Sequence, residues 1–187
     1  MRSMKKKNLV GWCFRTMDKV NKHDRSCLKN LDRKNIWHLI AVGFGSGLAP
    51  KAPGTFGSLA AIPLCMILIY LPLSVSLVII ALTFLIGWYS CVVTEKALGM
   101  HDCSSIVIDE FVGMFVSVLF FPQEWFLAFL AFVLFRVFDI LKPFPIGYLD
   151  KHIKGGLGIM VDDVLAGIAA CALAQIIFYF APHAVGL

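Results

Sequence analysis

Hydrophobic and polar positions divide this chain at about residue 35. Residues 1–34 alternate polar and charged side chains with few apolar ones, too few to offset the entropy of ordering a backbone, and read as a disordered or surface-bound tail. From Ile36 onward, long apolar runs follow one another, separated by short clusters of Gly, Pro and charged residues. The stretch IWHLIAVGFGSGLAPKAPGTFGS opens as a short helix with Trp37 at an interface and then becomes a Gly/Pro loop through Gly57. A first helix is predicted from about Ser58 to Leu71, with Pro72 and Ser74 forming a turn, and a second from about Val75 to Leu98, stopped by Gly99. Apolar segments over 106–121 and 125–141, broken by Pro-Gln-Glu at 122–124, predict a helical hairpin. After a polar connection containing Gly155, Gly156 and Gly158, a last helix is expected to start near Asp162 and run to about Phe180. The chain thus reads as all-α, a polytopic membrane bundle of about four to five membrane-embedded helices including a short hairpin. A basic cytoplasmic tail, 1–35, precedes a single embedded domain, 36–187.

Composition supports the membrane reading. Hydrophobic residues make up 59% of the 187 and charged ones only 16%, far from the near-even apolar share and quarter charged share of soluble domains. Ala52 through Thr94 is 43 residues without a charge, about twice what one ~20-residue membrane helix needs, and Val164–Leu187 also lacks Lys, Arg, Asp and Glu. The first long apolar run begins only after about 35 residues, so no cleavable signal peptide is expected. Six cysteines are scattered without zinc-ligand spacing, three of them inside apolar runs, and are expected to be reduced and packed.

Charge gives the orientation. Residues 1–35 hold eleven Lys and Arg against three Asp, whereas 36–187 hold six basic and nine acidic residues. A basic flank beside apolar helices marks the cytoplasmic side and is drawn to anionic membrane lipids. Nucleic-acid binding is the competing reading of such a tail, but no recognition fold follows it, so no nucleic-acid partner is expected. Five antiparallel passes would put the tail and the loops at 43–57, 95–110 and 139–163 on one face. Every Lys and Arg then lies there, with Glu124 the sole charged side chain opposite. The 106–121 and 125–141 segments offer only ~16 residues each, about 24 Å against a ~30 Å hydrocarbon core, so they can dip in without crossing.

Against this background five carboxylates stand out at the edges of apolar segments: Asp109, Glu110, Asp139, Asp162 and Asp163. Ionised groups at a membrane edge are costly unless they face one another, a metal or a water-filled cavity. Asp109 and Glu110 open the segment VIDEFVGMF, where helix capping and dipole complementation are the structural alternative to a binding role. Folding back at Pro122 brings that pair to the same end as Asp139, some thirty residues on. In FRVFDILKPFP, Arg136, Asp139 and Lys142 recur every three residues and would share one helical face, either as a neutralised triad or as a metal-binding Asp139 between two phosphate-holding cations. GGLGIMVDDVLAG places two aspartates at a predicted helix start, where only one residue can cap. Hard oxygen donors select Mg²⁺ or Ca²⁺, and together with Arg and Lys they favour a phosphorylated substrate.

Weaker signals lie nearby. Gly43, Gly45, Ser46 and Gly47, and the loop Pro53, Gly54, Thr55, could offer backbone N–H groups to phosphate, though helix packing and turns account for them as well. His101, in the loop before the first acidic motif, is a candidate general acid or base. The D-x-D-x-T nucleophile motif, the K-x6-R-P and S-G-H elements of phosphohistidine lipid phosphatases and the D-G-x2-A-R run of CDP-alcohol phosphotransferases are all missing. A C-x5-R match from Cys27 to Arg33 lacks the glycines of a phosphate-cradling loop.

Taken in order, WHLIAVGFGSGLAP with PGTFGSLAAIP, HDCSSIVIDEFVGM, FRVFDILKPFPI and GGLGIMVDDVLAG resemble the phosphatidylglycerophosphatase A family of bacterial inner-membrane lipid phosphatases over most of residues 36–168. Ala49 stands where some members carry Ser, and the tail lies outside the shared region. The resemblance implies Mg²⁺-dependent hydrolysis of phosphatidylglycerol phosphate to phosphatidylglycerol and phosphate in phospholipid biosynthesis, at the cytoplasmic face of the inner membrane. Asp109, Glu110, Asp139 and one or both of Asp162 and Asp163 would hold metal, and Asp109, Asp139, Arg136, Lys142 and His101 would carry catalysis, by activated water or through an aspartyl-phosphate. The rival readings are a phosphohydrolase or phosphotransferase acting on another lipid phosphate, and a non-enzymatic cation carrier. Transporter sites usually lie near the bilayer midplane, which counts against the carrier.

Overall fold

The structure, a computed structural model, describes residues 31–32, 34–99, 103–153 and 155–180. Among the described residues it is entirely helical, without a β-strand. Helix α1, Ile36–Ala41, starts where the Asn35 side chain accepts a hydrogen bond from the Trp37 N–H at 3.0 Å, an N-cap that satisfies one otherwise orphaned donor. A 3-10 segment, Gly43–Leu48, follows, with Gly43, Phe44 and Gly45 all at positive φ. The loop then ends five residues sooner than expected. Helix α2 spans Pro53–Leu68, because Pro53 at its first turn has φ preset for a helix and its missing N–H would have had no partner there.

Helix α3, Leu73–Leu98, is the longest element and stops at Gly99, whose left-handed φ of 66° lets its N–H close on the Glu95 carbonyl. The central segments shorten to α4, Ile108–Ser117, and α5, Leu127–Leu141. A short helix not foreseen in the polar connection, α6, covers Ile146–His152, and α7 runs from Gly156 to Phe180. Helix α7 therefore begins six residues before the expected start, so Asp162 and Asp163 sit inside it rather than at its cap. Of the three glycines in the connection, Gly155 precedes the helix with φ 75° while Gly156 and Gly158 are helical, and Gly156 approaches Cys91 and Val92 of α3 so closely that a Cβ would lie 3.0–3.1 Å from them.

Helix α4 is the axis of the bundle: all ten of its residues are buried, and it packs against α7, α2, α3 and α5. At the α4–α7 crossing a Cβ on Gly167 would overlap the Gly113 carbonyl oxygen, and one on Gly113 would overlap the Phe135 ring. Small residues at that crossing let two backbones meet. The pairing of 106–121 with 125–141 is thus one contact among several, and α4 is enclosed by its neighbours instead of forming a free-standing hairpin.

Two helices, Leu73–Leu98 and Gly156–Phe180, are long and apolar enough to cross a membrane, while Pro53–Leu68 is apolar but shorter. The expected four to five embedded helices are matched in this respect by those two alone among the described residues, because α4 and α5 rise only about 15 and 22 Å. The most apolar 18-residue stretches of the two long helices are only 22% and 44% buried within the protein. Leu77, Val78, Leu82 and Leu85 of α3 all point outward, a surface compatible with a lipid surround. Cys65, Cys91 and Cys171 are free and buried as expected. Cys103 is disulfide-bonded, so the expectation of reduced thiols fails at this loop position outside the apolar helices.

Candidate active site

Helix polarity gathers charge at one end of this bundle. The N-terminal turns of α2, α4 and α7 and the C-terminal ends of α3 and α5 converge on a cavity of about 720 Å³, to whose wall α6 adds Asp150. Asp109, Glu110, Arg136, Asp139, Lys142, Asp162 and Asp163 all line it. Asp109 and Glu110 lie in the first turn of α4, where a negative charge complements the helix dipole. Neither caps that helix, since Val107 is the N-cap and offers no side-chain bond. His101 lies outside the described residues.

The basic residues hold the carboxylates in two groups. Arg136 Nη1 is 2.8 Å from Asp139 Oδ2, 3.7 Å from Glu110 Oε1, and donates to Ser58 Oγ at 3.3 Å. Ser58 is fully buried, and its hydroxyl donates a hydrogen bond to the Gly54 carbonyl at 2.9 Å. Gly54 belongs there for a steric reason: a Cβ would overlap Glu110 Oε1 and sit 3.3 Å from Arg136 Nη1. The second group forms around Lys142, whose Nζ donates to Asp162 Oδ2 at 2.6 Å and Asp150 Oδ1 at 2.9 Å.

The expected single face for Arg136, Asp139 and Lys142 therefore divides. Helix α5 ends at Leu141 and Lys142 turns left-handed, with φ 40° and ψ 56°, so its side chain heads toward α6 and α7 instead of continuing the Arg136–Asp139 row. Burial works against the Lys142 charge, but the hydrogen bonds and charges of Asp162 and Asp150 outweigh it and hold the ammonium above its ordinary range. It is a fixed cation at neutral pH.

What remains unsatisfied is informative. Asp109 Oδ1, Glu110 Oε2, Asp162 Oδ1 and Asp163 Oδ2 are buried without a hydrogen-bond partner. Unpartnered buried carboxylate oxygens are expensive unless something else completes them. Helix capping, the structural alternative for Asp162 and Asp163, is removed by their position within α7. The donor set is all oxygen, which suits a hard cation. Among the described residues no three His, Cys, Asp or Glu side chains form a ready-made metal cage. Mg²⁺ needs none, because it usually binds through one or two carboxylates and completes its shell with waters and substrate phosphate oxygens. The free oxygens around this cavity fit that mode better than a closed calcium or zinc site.

Of the glycine-rich stretches, Pro53 and Gly54 line the cavity and Gly43–Gly47 do not. The latter instead support the loop before α4, where a Cβ on Gly47 would overlap the Ser105 carbonyl. Three residues of the site escaped the sequence analysis: Asp150, Glu95 and Ser58. Glu95 carried a signal, since it ends the 43-residue charge-free run and is buried yet acidic. Asp150 and Ser58 carried none, because their contacts arise only from the packing of α6 and α2.

The family model described as phosphatidylglycerophosphatase A matches residues 39–178. The chain is 43% identical over 163 residues to the phosphatidylglycerophosphatase A of Escherichia coli K12, covering 87% of this chain and 92% of that protein. It is 50% identical over 157 residues to the protein of the same name from Haemophilus influenzae, covering 82% and 95%. A Bacteroides thetaiotaomicron protein named putative phosphatidylinositol-3-phosphatase is 39% identical over 140 residues, covering 70% and 86%. No solved structure matches the chain.

Proposed function

The chain belongs to the phosphatidylglycerophosphatase A family, and from that premise we propose that it hydrolyses phosphatidylglycerol phosphate to phosphatidylglycerol and inorganic phosphate with Mg²⁺ as cofactor. The observation that carries the mechanism is the convergence of five carboxylates and two fixed cations on one cavity, with four buried carboxylate oxygens left without partners. Asp109, Glu110, Asp139, Asp162 and Asp163 are the residues that would hold Mg²⁺, which when bound supplies charge neutralisation at phosphoryl oxygens and a more acidic water.

The chain's own residues do the rest. Arg136 and Lys142 receive the non-bridging phosphoryl oxygens, Arg136 through its planar fork and Lys142 as a point charge, and stabilise the charge that spreads over them in the transition state. Asp109, with Oδ1 unpartnered, accepts a proton from the attacking water. Water oxygen bonds to phosphorus as the ester oxygen–phosphorus bond breaks, and the departing glycerol oxygen takes the proton that Asp109 accepted and leaves as an alcohol. Ser58 fixes Arg136 from behind the site. Direct attack by an aspartate, giving an aspartyl-phosphate, is the variant in which Asp109 or Asp139 replaces water as nucleophile.

The reading places the protein in a bacterial inner membrane with four to five embedded helices and the cavity at the cytoplasmic face. Phosphatidylglycerol phosphate would present its terminal monoester there while its acyl chains stay in the bilayer, so the lipid need not be extracted. The reaction would serve phospholipid biosynthesis. The Bacteroides relative's name favours a second reading, in which the same cavity cleaves an inositol phospholipid monoester. Phosphate release by purified protein from micelles of phosphatidylglycerol phosphate, phosphatidylinositol 3-phosphate and phosphatidic acid separates the two. Turnover on the first at least tenfold above the others is expected, and preference for the inositol lipid would overturn the assignment.

A further inference from the structure

Lys142 is held by two carboxylates of opposite character. Asp162 belongs to α7 and is 8% exposed at its side chain, whereas Asp150, on α6 and 40% exposed, reaches the same ammonium from the solvent side. A lone surface ion pair would contribute little. This one lies on the cavity wall, and three structural features aim it. The left-handed turn at Lys142 directs the side chain away from the α5 axis. Gly147 lets the start of α6 come so close to the Lys142 carbonyl that a Cβ would lie 2.6 Å from that oxygen. Asp150 sits three residues beyond Gly147, nearly one turn along α6.

An ammonium has three donor hydrogens and no fixed fork, so it can keep one acceptor while exchanging another. We propose that Asp150 is a positioning residue that keeps Lys142 on the cavity wall while the lysine exchanges its Asp162 bond for an oxygen of the substrate's phosphate. The proposal rests on the phosphatase reading and deepens it by assigning a role to a residue that does not itself touch substrate. Without Asp150 the ammonium has Asp162 as its one remaining carboxylate, and the flexible four-carbon stem must be immobilised again each time phosphate binds. Asp162 in turn stays covered, because Lys142 has no second anchor to hold it aside. Position 150 therefore governs how readily the phosphoryl group meets a pre-placed cation.

Steady-state phosphate release from phosphatidylglycerol phosphate in mixed micelles with Mg²⁺ tests this with wild type, Asp150→Asn, Asp150→Glu, Lys142→Gln and the Asp150→Asn/Lys142→Gln double variant. Asp150→Asn is expected to lower kcat/KM roughly tenfold, the scale of a modest misplacement of a catalytic group. Asp150→Glu should recover at least half of the loss, since it restores the charge at nearly the same place. In the Lys142→Gln background the further change at Asp150 should have less than a twofold effect, because a residue acting through Lys142 has nothing left to position. An equal tenfold loss in both backgrounds would overturn the proposal in favour of a merely structural role, as would wild-type kinetics in Asp150→Asn. If the wild-type protein releases no phosphate, the substrate assignment and this role fall together.

Discussion

Arg136 is the residue whose loss has the most calculable consequence. Its Nη1 faces Asp139 at 2.8 Å and Glu110 at 3.7 Å, with 16% of its side chain exposed and the two carboxylates at 16% and 11%. At an effective dielectric of 20 the two attractions amount to about 6 and 4.5 kcal/mol. Desolvation of the three groups offsets much of that, so the net cost of removing the arginine is about 3–5 kcal/mol, the scale for leaving a buried charge without its partner. Arg136→Gln keeps hydrogen-bonding capacity toward Ser58 but removes the charge. For a chain of this size the expected fall in thermal midpoint is roughly 10 °C, read in mild detergent with chelator present. Turnover should fall by at least a hundredfold, since the variant also loses a donor for the transferring phosphoryl group. Adding Glu110→Gln removes one of the two stranded charges, so the double variant should regain much of the midpoint while remaining inactive. An Arg136→Gln protein melting within about 1 °C of wild type would refute the argument that this cation neutralises the carboxylates.

Other consequences follow from burial and packing. Asp163→Asn removes the charge from a carboxyl that is 4% exposed and has an unpartnered oxygen, so the thermal midpoint in chelator should stay level or rise while phosphate release drops at least a hundredfold. A midpoint several degrees lower would show that Asp163 is structural. Gly167→Ala forces a Cβ onto the Gly113 carbonyl at the α4–α7 crossing and should destabilise the protein by about 1–3 kcal/mol, measured by thermal unfolding, through overpacking. Deletion of residues 1–30 removes nine Lys and Arg, so binding to anionic vesicles should weaken and lose most of its salt dependence, while kcat at saturating substrate is unchanged. A large fall in kcat would refute that division of labour.

Much of this architecture was legible because its causes are local. Charge-free runs and Gly/Pro punctuation set the long helices and their turns, and Asp109, Glu110 and Asp139 fall at helix ends because the apolar segments end there. Asp109, Glu110 and Asp139 could be assigned to one end from the turn at Pro122 alone. Boundaries fared less well where two local signals compete. The PGTFG stretch reads as a loop from its glycines, yet Pro53 starts a helix and Gly54 and Gly57 are needed for the close approach to Glu110 and Val107. Gly156 and Gly158 likewise sit inside α7, which moves Asp162 and Asp163 from cap to interior. The partners of Lys142 were out of reach, because a three-residue spacing predicts a shared face only while the helix continues, and α5 stops one residue short of it. Asp150 depends on α6, a seven-residue helix with no strong periodicity.

The central claim is that the carboxylate-lined cavity works with a divalent cation on a lipid phosphomonoester. Its most direct test is inorganic phosphate release from phosphatidylglycerol phosphate by purified protein, assayed in Mg²⁺, then in excess chelator, then after Mg²⁺ is restored, alongside Asp139→Asn. The account predicts turnover that disappears with chelator, returns with Mg²⁺, and is at least a hundredfold lower in Asp139→Asn whenever Mg²⁺ is present. Chelator-resistant turnover, or wild-type turnover in Asp139→Asn, would contradict it.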